Sequence, residues 1–298
     1  MTENPPTEEM LPRLRSLLFA PASSPDMCAK LPRSGPDGVV VDLEDAVAPA
    51  AKAEARAQAR AVGAGLRRQH PDLAVFVRVN PPSSEWFAND VVEGLAEELT
   101  GVVVPKLESA AQVDFVHEAL DQAGCGHLRL LAGIETAAGV AGASSVLEHL
   151  RTDLAYFGAE DFITDMGGVR TDDGLEVLYA RSQVALAARL AGIPVLDQVV
   201  TAFGDDERFL SDAAMGRSIG YSGKLCIHPA QVPLANQCFS ASAEEQERAR
   251  ALLAVWDAAQ ARGQAAVAFE GQMIDEPLAR RARALLDEMK VGLAGMGG

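Results

Sequence analysis

Residues 38–42, Gly-Val-Val-Val-Asp, and residues 74–79, Ala-Val-Phe-Val-Arg-Val, flank a segment, 50–68, that is rich in Ala and Arg. Neither apolar run alternates with polar residues, as expected of parallel strands covered on both faces, and the segment between them has helix-forming composition. The unit therefore reads as strand, crossover helix, parallel strand. Working outward, the same pattern recurs: further short apolar runs lie at 16–19, 102–104, 129–134, 154–157, 194–196 and 224–227. Ser24-Pro25 offers a helix N-cap followed by Pro at the first helical position, and 108–121 and 175–190 carry apolar residues three and four apart. Eight strands alternating with helices predict an α/β fold of the (β/α)8 TIM-barrel type. The competing open, doubly wound sheet wants a Gly-rich turn after its first strand. Here Phe19-Ala20-Pro21-Ala22 stands in that place.

About 70 residues follow the eighth run. Ser242 and Glu245 have the spacing of a capping box, ahead of a helix with Leu252, Leu253, Trp256 and Ala259 on one side. A turn-rich piece at 268–275 then leads through Pro277 into a last helix reaching about Lys290. The expected organisation is a flexible N-terminal segment (1–14), a catalytic barrel (15–240) and a C-terminal helical extension (241–298) serving as lid or oligomerisation element.

Composition narrows the function. Of 298 residues, 48% are apolar and 23% charged, which predicts a packed globular chain. With 26 Lys plus Arg against 42 Asp plus Glu, the net charge is −16, which argues against nucleic acid as a partner. No apolar run is long enough to span a membrane and the first twelve residues are acidic and Pro-rich, so a cytoplasmic protein is expected. Cys28, Cys125, Cys226 and Cys238 are scattered without a paired spacing and read as reduced.

Barrel chemistry lies at the C-terminal ends of the strands. There the sequence is strongly polar: Asp42, Glu44 and Asp45; Arg78 and Asn80; Lys106; Glu135 and Thr136; Glu160 and Asp161; Asp197 and Gln198; His228. Acids converging on one mouth repel one another unless a cation neutralises them, and oxygen donors without adjacent His or Cys suit Mg2+, or Mn2+ in its place. Several carboxylate pairs could serve by position alone; the competing reading is that these acids cap helices or pair with Arg78 and Lys106. Arg78 suits a substrate carboxylate or a developing enolate oxygen. Lys106 in acidic surroundings stays protonated, so it is read as electrostatic support and not as a Schiff-base nucleophile.

Seven strings occur in order: Arg15-Ser-Leu-Leu-Phe-Ala-Pro, Val41-Asp-Leu-Glu-Asp-Ala-Val, Arg78-Val-Asn, Gly133-Ile-Glu-Thr-Ala-Ala-Gly, Gly158-Ala-Glu-Asp-Phe, Gly223-Lys-Leu-Cys-Ile-His-Pro and Gly271-Gln-Met-Ile-Asp. Together they resemble the citrate lyase beta-subunit-like family of the HpcH/HpaI aldolase superfamily, which includes malyl-CoA and citramalyl-CoA lyases. The resemblance implies a Mg2+-dependent carbon-carbon lyase acting on a short 3-hydroxyacyl-CoA and releasing an oxoacid and an acyl-CoA. It implies Glu135 and Asp161 as metal ligands, Arg78 as the enolate-stabilising arginine and Asp275 as the acid/base. Glu44 and Asp45 are implied as partners of the metal or its waters. Arg15, Ser23, Lys30 and Arg33 are implied as CoA contacts, and a homotrimer or dimer of trimers as the assembly. The alternatives on the same scaffold are a CoA thioesterase and the beta subunit of a citrate lyase complex working on an acyl-carrier-protein thioester.

Overall fold

The computed structural model of the chain describes residues 13–294, with side chains through Asp287. Most of the expected N-terminal segment, residues 1–12, lies outside them. The chain divides into two compact units, one spanning Leu14–Phe239 and the other running from Ser240 onward.

The first unit is a closed barrel of eight parallel strands in sequence order. Strand β1 (Ser16–Pro21) precedes helix α1 (Pro25–Cys28); β2 (Gly38–Asp42) precedes α2 (Lys52–Gln69); β3 (Ala74–Arg78) precedes the single turn α3 (Phe87–Asn89). Then come β4 (Gly101–Val104), α4 (Ala110–Gln122), β5 (Arg129–Ile134), α5 (Ala137–Ala141), α6 (Ala143–Leu147) and β6 (Leu154–Phe157). The barrel closes with α7 (Ala159–Asp165), α8 (Leu175–Ala191), β7 (Val195–Asp197), α9 (Asp206–Ser218), β8 (Gly223–Cys226) and α10 (Gln231–Cys238). Strand β1 pairs with both β2 and β8, which leaves no free edge.

Strand parity sets which residues face the axis. Leu18, Val39, Val41, Val75, Val77, Ala155 and Phe157 pack outward with helix residues such as Ala55, Ala59, Val113 and Val184 in one apolar layer. The intervening residues, Leu17, Val40, Phe76, Val103, Leu131 and Tyr156, are equally buried and therefore fill the interior. By the same count Asp42 and Arg78, paired in register at the ends of β2 and β3, point inward at the top of the barrel.

The second unit holds α11 (Ala243–Gln260), a hairpin and α12 (Glu276–Ala294). Ser242 and Glu245 form the capping box reciprocally, and Leu252 and Trp256 pack with Ile274 and Ala279 in a separate small core. The segment expected to be turn-rich is instead an antiparallel pair, β9 (Val267–Phe269) and β10 (Gln272–Ile274). Its two-residue turn places Glu270 and Gly271 at φ 50° and 76°, the left-handed geometry that matches strand twist in a tight hairpin. Cys28, Cys125 and Cys226 are buried free thiols. No helix among the described residues is long and apolar enough to cross a membrane.

Candidate active site

The loop after β2 is built first. Asp42 accepts the Glu44 N–H at 2.9 Å and holds Arg78 through two bonds, from Nε and Nη2, each 2.7 Å. From α2, the buried Lys52 ammonium donates to the carbonyls of Leu43 (2.8 Å) and Glu44 (3.1 Å) and to Asn80 Oδ1 (2.9 Å). Asn80 is in turn held by Asp90, which Arg56 anchors at 2.8 Å. The backbone that presents Glu44 is thus fixed from beneath. Burial lowers the Lys52 pKa, against the pull of Asp90, Asp42 and Glu44. Sequence reasoning overlooked Lys52 and Asp90 because both lie away from the strand ends.

Above this base four acids meet two bases. Glu44 is buried; its Oε1 accepts from Lys106 at 2.8 Å, while Oε2 sits 2.9 Å from Arg78 Nη1 but off the N–H axis, so it has no hydrogen-bond donor. Burial raises the Glu44 pKa, opposed by Arg78 and Lys106. Glu135, directly after β5, is 1% exposed and its Oε2 has no partner. Its pKa is pushed up to about 8, first by burial and then by Glu44, with Asp161 adding to the rise. Asp161, in the first turn of α7 and 37% exposed, lies 3.2 Å from Lys106 Nζ. Asp45 is 70% exposed and sits 3.7 Å from the same ammonium.

Two glycines make room for this arrangement. A Cβ on Gly158 would stand 2.5 Å from Glu135 Cγ, and one on Gly133 would stand 2.6 Å from the Tyr156 hydroxyl. Tyr156 enters the barrel below Glu135, and its hydroxyl also lacks a hydrogen-bond partner although the two groups adjoin. Burial and the Glu135 carboxylate drive its pKa well up. Tyr156 is hidden inside an apolar run and gives no polar signal in the sequence; only its inward parity marks it.

Donor chemistry suits a hard divalent cation. The orphaned Glu135 oxygen is a buried acceptor with no hydrogen-bond partner, Glu44 Oε2 has the Arg78 charge beside it but no donor, and the neighbouring Asp161 is accessible. Among the described residues no group of three His, Cys, Asp or Glu side chains is arranged to hold a metal ion, so water and substrate would have to complete the coordination of an ion bound here. Arg78 keeps N–H bonds beyond the two taken by Asp42, since a guanidinium has five.

Other strand-end residues go elsewhere. Asp197, expected at the mouth, shares the parity of the outward Val195. It is bonded to Arg181 of α8 (2.8 and 2.6 Å) and to Lys224 of β8 (2.7 Å), with Asp212 of α9 completing the cluster and Gln198 donating to Asp212. This pair of acids belongs to the layer between strands and helices. Glu160 pairs with Arg170, Thr136 caps α5, and His228 stacks on Phe203 at 5.1 Å.

The expected CoA contacts also separate. Arg15 precedes β1, at the barrel end opposite the mouth, and its guanidinium clamps Asp37 at 2.7 Å on each side. A six-residue strand, roughly 20 Å long, removes it from the site. Ser23, Lys30 and Arg33 are exposed on the connection from β1 to β2. Asp275 lies in the second unit, where its Oδ1 approaches the Leu278 N–H at 3.4 Å and its carbonyl accepts from Ala279, so it caps α12.

Comparison with known proteins adds to this geometry. The pattern of the HpcH/HpaI aldolase/citrate lyase family matches residues 15–229. A citrate lyase subunit beta-like protein of Deinococcus radiodurans is 55% identical over 277 residues, covering 92% of this chain and 96% of its own. A (3S)-malyl-CoA thioesterase of Cereibacter sphaeroides is 31% identical, covering 88% of this chain and 89% of its own. Among solved structures, CitE of Mycobacterium tuberculosis in complex with magnesium, acetoacetate and coenzyme A superposes with a TM-score of 0.76 at 32% identity, over 93% of this chain and 97% of that one. The chain belongs to the HpcH/HpaI aldolase/citrate lyase family of enzymes, with a citrate lyase beta-like barrel.

Proposed function

We propose that the protein is a Mg2+-dependent carbon-carbon lyase for a short 3-hydroxyacyl-CoA such as malyl-CoA or citramalyl-CoA, releasing an oxoacid and an acyl-CoA. The observation that carries this reading is the buried, partnerless Glu135 oxygen facing Glu44, Asp161 and Arg78. Magnesium and coenzyme A bound to the similar CitE lend it support.

Glu135 and Asp161 would hold the ion, with Glu44 and Asp45 binding its waters. Bound there, Mg2+ supplies Lewis acidity at the hydroxyl and carboxylate oxygens of the substrate. The remaining work falls to side chains. The substrate hydroxyl gives its proton to a water and its oxygen becomes the carbonyl of the oxoacid, while the electron pair of the breaking bond between that carbon and the carbon next to the thioester moves toward the thioester oxygen and leaves an enolate. Arg78, held rigidly by Asp42, directs its remaining N–H bonds at that oxygen and needs no reorganisation as charge develops. Asp275, as a carboxylic acid, delivers a proton to the enolate carbon; in condensation it removes one. Lys30, Arg33 and Ser23 would meet the CoA phosphates. The C-terminal unit would act as a lid in a homotrimer or a dimer of trimers.

Product analysis tests the reading. Incubation with malyl-CoA or citramalyl-CoA and Mg2+ yields glyoxylate or pyruvate together with an acyl-CoA. The resemblance to a malyl-CoA thioesterase favours a second reading, hydrolysis, in which free CoA and the intact hydroxydiacid appear instead. A monomer without CoA affinity would count against the lid. Asp275→Asn is expected to slow turnover by roughly 100-fold or more while Mg2+ and CoA still bind. Turnover like that of the wild type would remove Asp275 from the mechanism.

A further inference from the structure

Lys106 is one of only two non-glycine residues among those described with positive φ, at 57°, and the other lies in the β9–β10 turn. A side chain this long is rarely held in the left-handed region, and such strain persists only where the surroundings impose it. Immediately after it the Leu107 N–H bonds the Gly133 carbonyl at 3.0 Å, tying this turn to β5. From there the ammonium reaches carboxylates on two separate elements. It is 2.8 Å from Glu44 and 3.7 Å from Asp45 on the loop after β2, and 3.2 Å from Asp161 on α7.

The charge count of the mouth frames what this contact does. Asp42, Glu44, Asp45, Glu135 and Asp161 are five acids, and Arg78 and Lys106 are two bases, so the fully ionised cluster carries 2 − 5 = −3. Asp42 already engages Arg78 with both oxygens, leaving Lys106 as the one cation among the described residues that touches Asp161. It is 25% exposed, so its flexible stem can carry the ammonium outward.

We propose that Lys106 is a tethered counter-ion that holds Asp161 toward Glu44 in the metal-free enzyme and must yield Asp161 to an incoming divalent ion, so that this one ammonium sets the metal affinity of the site. The inference rests on Glu135 and Asp161 being the metal ligands. It makes Lys106 a positioning residue, acting through Asp161, and it predicts a sign: removing the ammonium removes a competitor and a like charge, so metal binds more tightly. A lysine that merely orients the carboxylates has the opposite signature, because its loss would scatter them.

Calorimetric titration of the full-length protein with MgCl2 decides between these. Lys106→Met is expected to bind Mg2+ about tenfold more tightly than the wild type, with the melting temperature lowered in the absence of metal and restored by saturating Mg2+. Lys106→Arg, which keeps the charge, is expected to restore the wild-type affinity. If Lys106→Met fails to fold, Lys106→Gln carries the same comparison. Unchanged or weaker binding by the charge-removing variant overturns the proposal alone, provided Glu135→Gln has lost Mg2+ binding. Full Mg2+ binding by Glu135→Gln overturns the ligand assignment and this inference with it.

Discussion

Two buried ionic clusters lie in this barrel, and they are built differently. In the layer between strands and helices, Asp197 and Asp212 face Arg181 and Lys224. The charges cancel, and both nitrogens that Arg181 turns toward Asp197 and both oxygens of Asp197 are hydrogen-bonded. At the mouth, five acids face two bases, and Glu135, Glu44 and Tyr156 each keep an oxygen without a donor. An unpaired buried acceptor costs free energy that a balanced cluster avoids. The balanced cluster locks β7 and β8 to α8 and α9. The unbalanced one is the proposed site for a cation and a substrate. A single substitution in each should therefore damage a different property.

The largest expected effect is at the mouth. Glu135→Gln is expected to abolish measurable Mg2+ binding and lower turnover by about a thousandfold or more, the range for losing a main electrostatic element of a catalytic site, while thermal stability without metal holds or rises. Calorimetry and melting curves on one preparation check both halves. A folded variant that keeps its metal would break the contrast. In the helix layer Asp197→Asn leaves Arg181 and Lys224 buried with one full acid between them. A loss of about 3–5 kcal/mol of stability is expected, with Mg2+ affinity of the folded protein unchanged. Denaturant unfolding measures the first and titration the second; a stability loss under about 1 kcal/mol would show that the cluster is not a lock.

The distinction between these clusters was only half legible in the sequence. The eight apolar runs located the strands within a residue or two, because continuous Val and Leu runs are what a doubly covered strand requires. That same continuity conceals parity. In Gly-Val-Val-Val-Asp nothing says whether Asp42 faces the axis, and Asp197 reads identically at the end of its own strand although it faces outward. Arg15 shows a related limit: it opens the first matching string, yet it precedes β1 and so lies at the far end of that strand. Lys52, Asp90 and Tyr156 act at the site from positions that carry no local mark. The β9–β10 hairpin was missed because Glu270 takes a left-handed position usually filled by Asn, Asp or Gly.

The smallest expected effect is also the one that sets the two clusters against each other most directly, since they should respond to pH with opposite sign. For Glu135 the native pKa is raised from 4.5 to about 8, so between those values the native state keeps a proton that the unfolded chain has released. Stability of the metal-free protein therefore falls as pH rises from about 4.5 to about 8, with a slope of at most about 1.4 kcal/mol per pH unit for one proton. Saturating Mg2+ keeps the carboxylate ionised in the native state and removes that slope. For Asp212 burial is outweighed by Lys224 and Arg181, and the native pKa lies below the usual 3.8. Its contribution is complete above that value and is lost as pH falls through the depressed one. Chemical denaturation of the metal-free protein between pH 5 and 8, repeated with Mg2+ and with Glu135→Gln, isolates the first limb; comparing the wild type with Asp212→Asn below pH 4 isolates the second. A decline toward pH 8 that persists in Glu135→Gln would assign the proton to another group and leave the mouth no less satisfied than the helix layer.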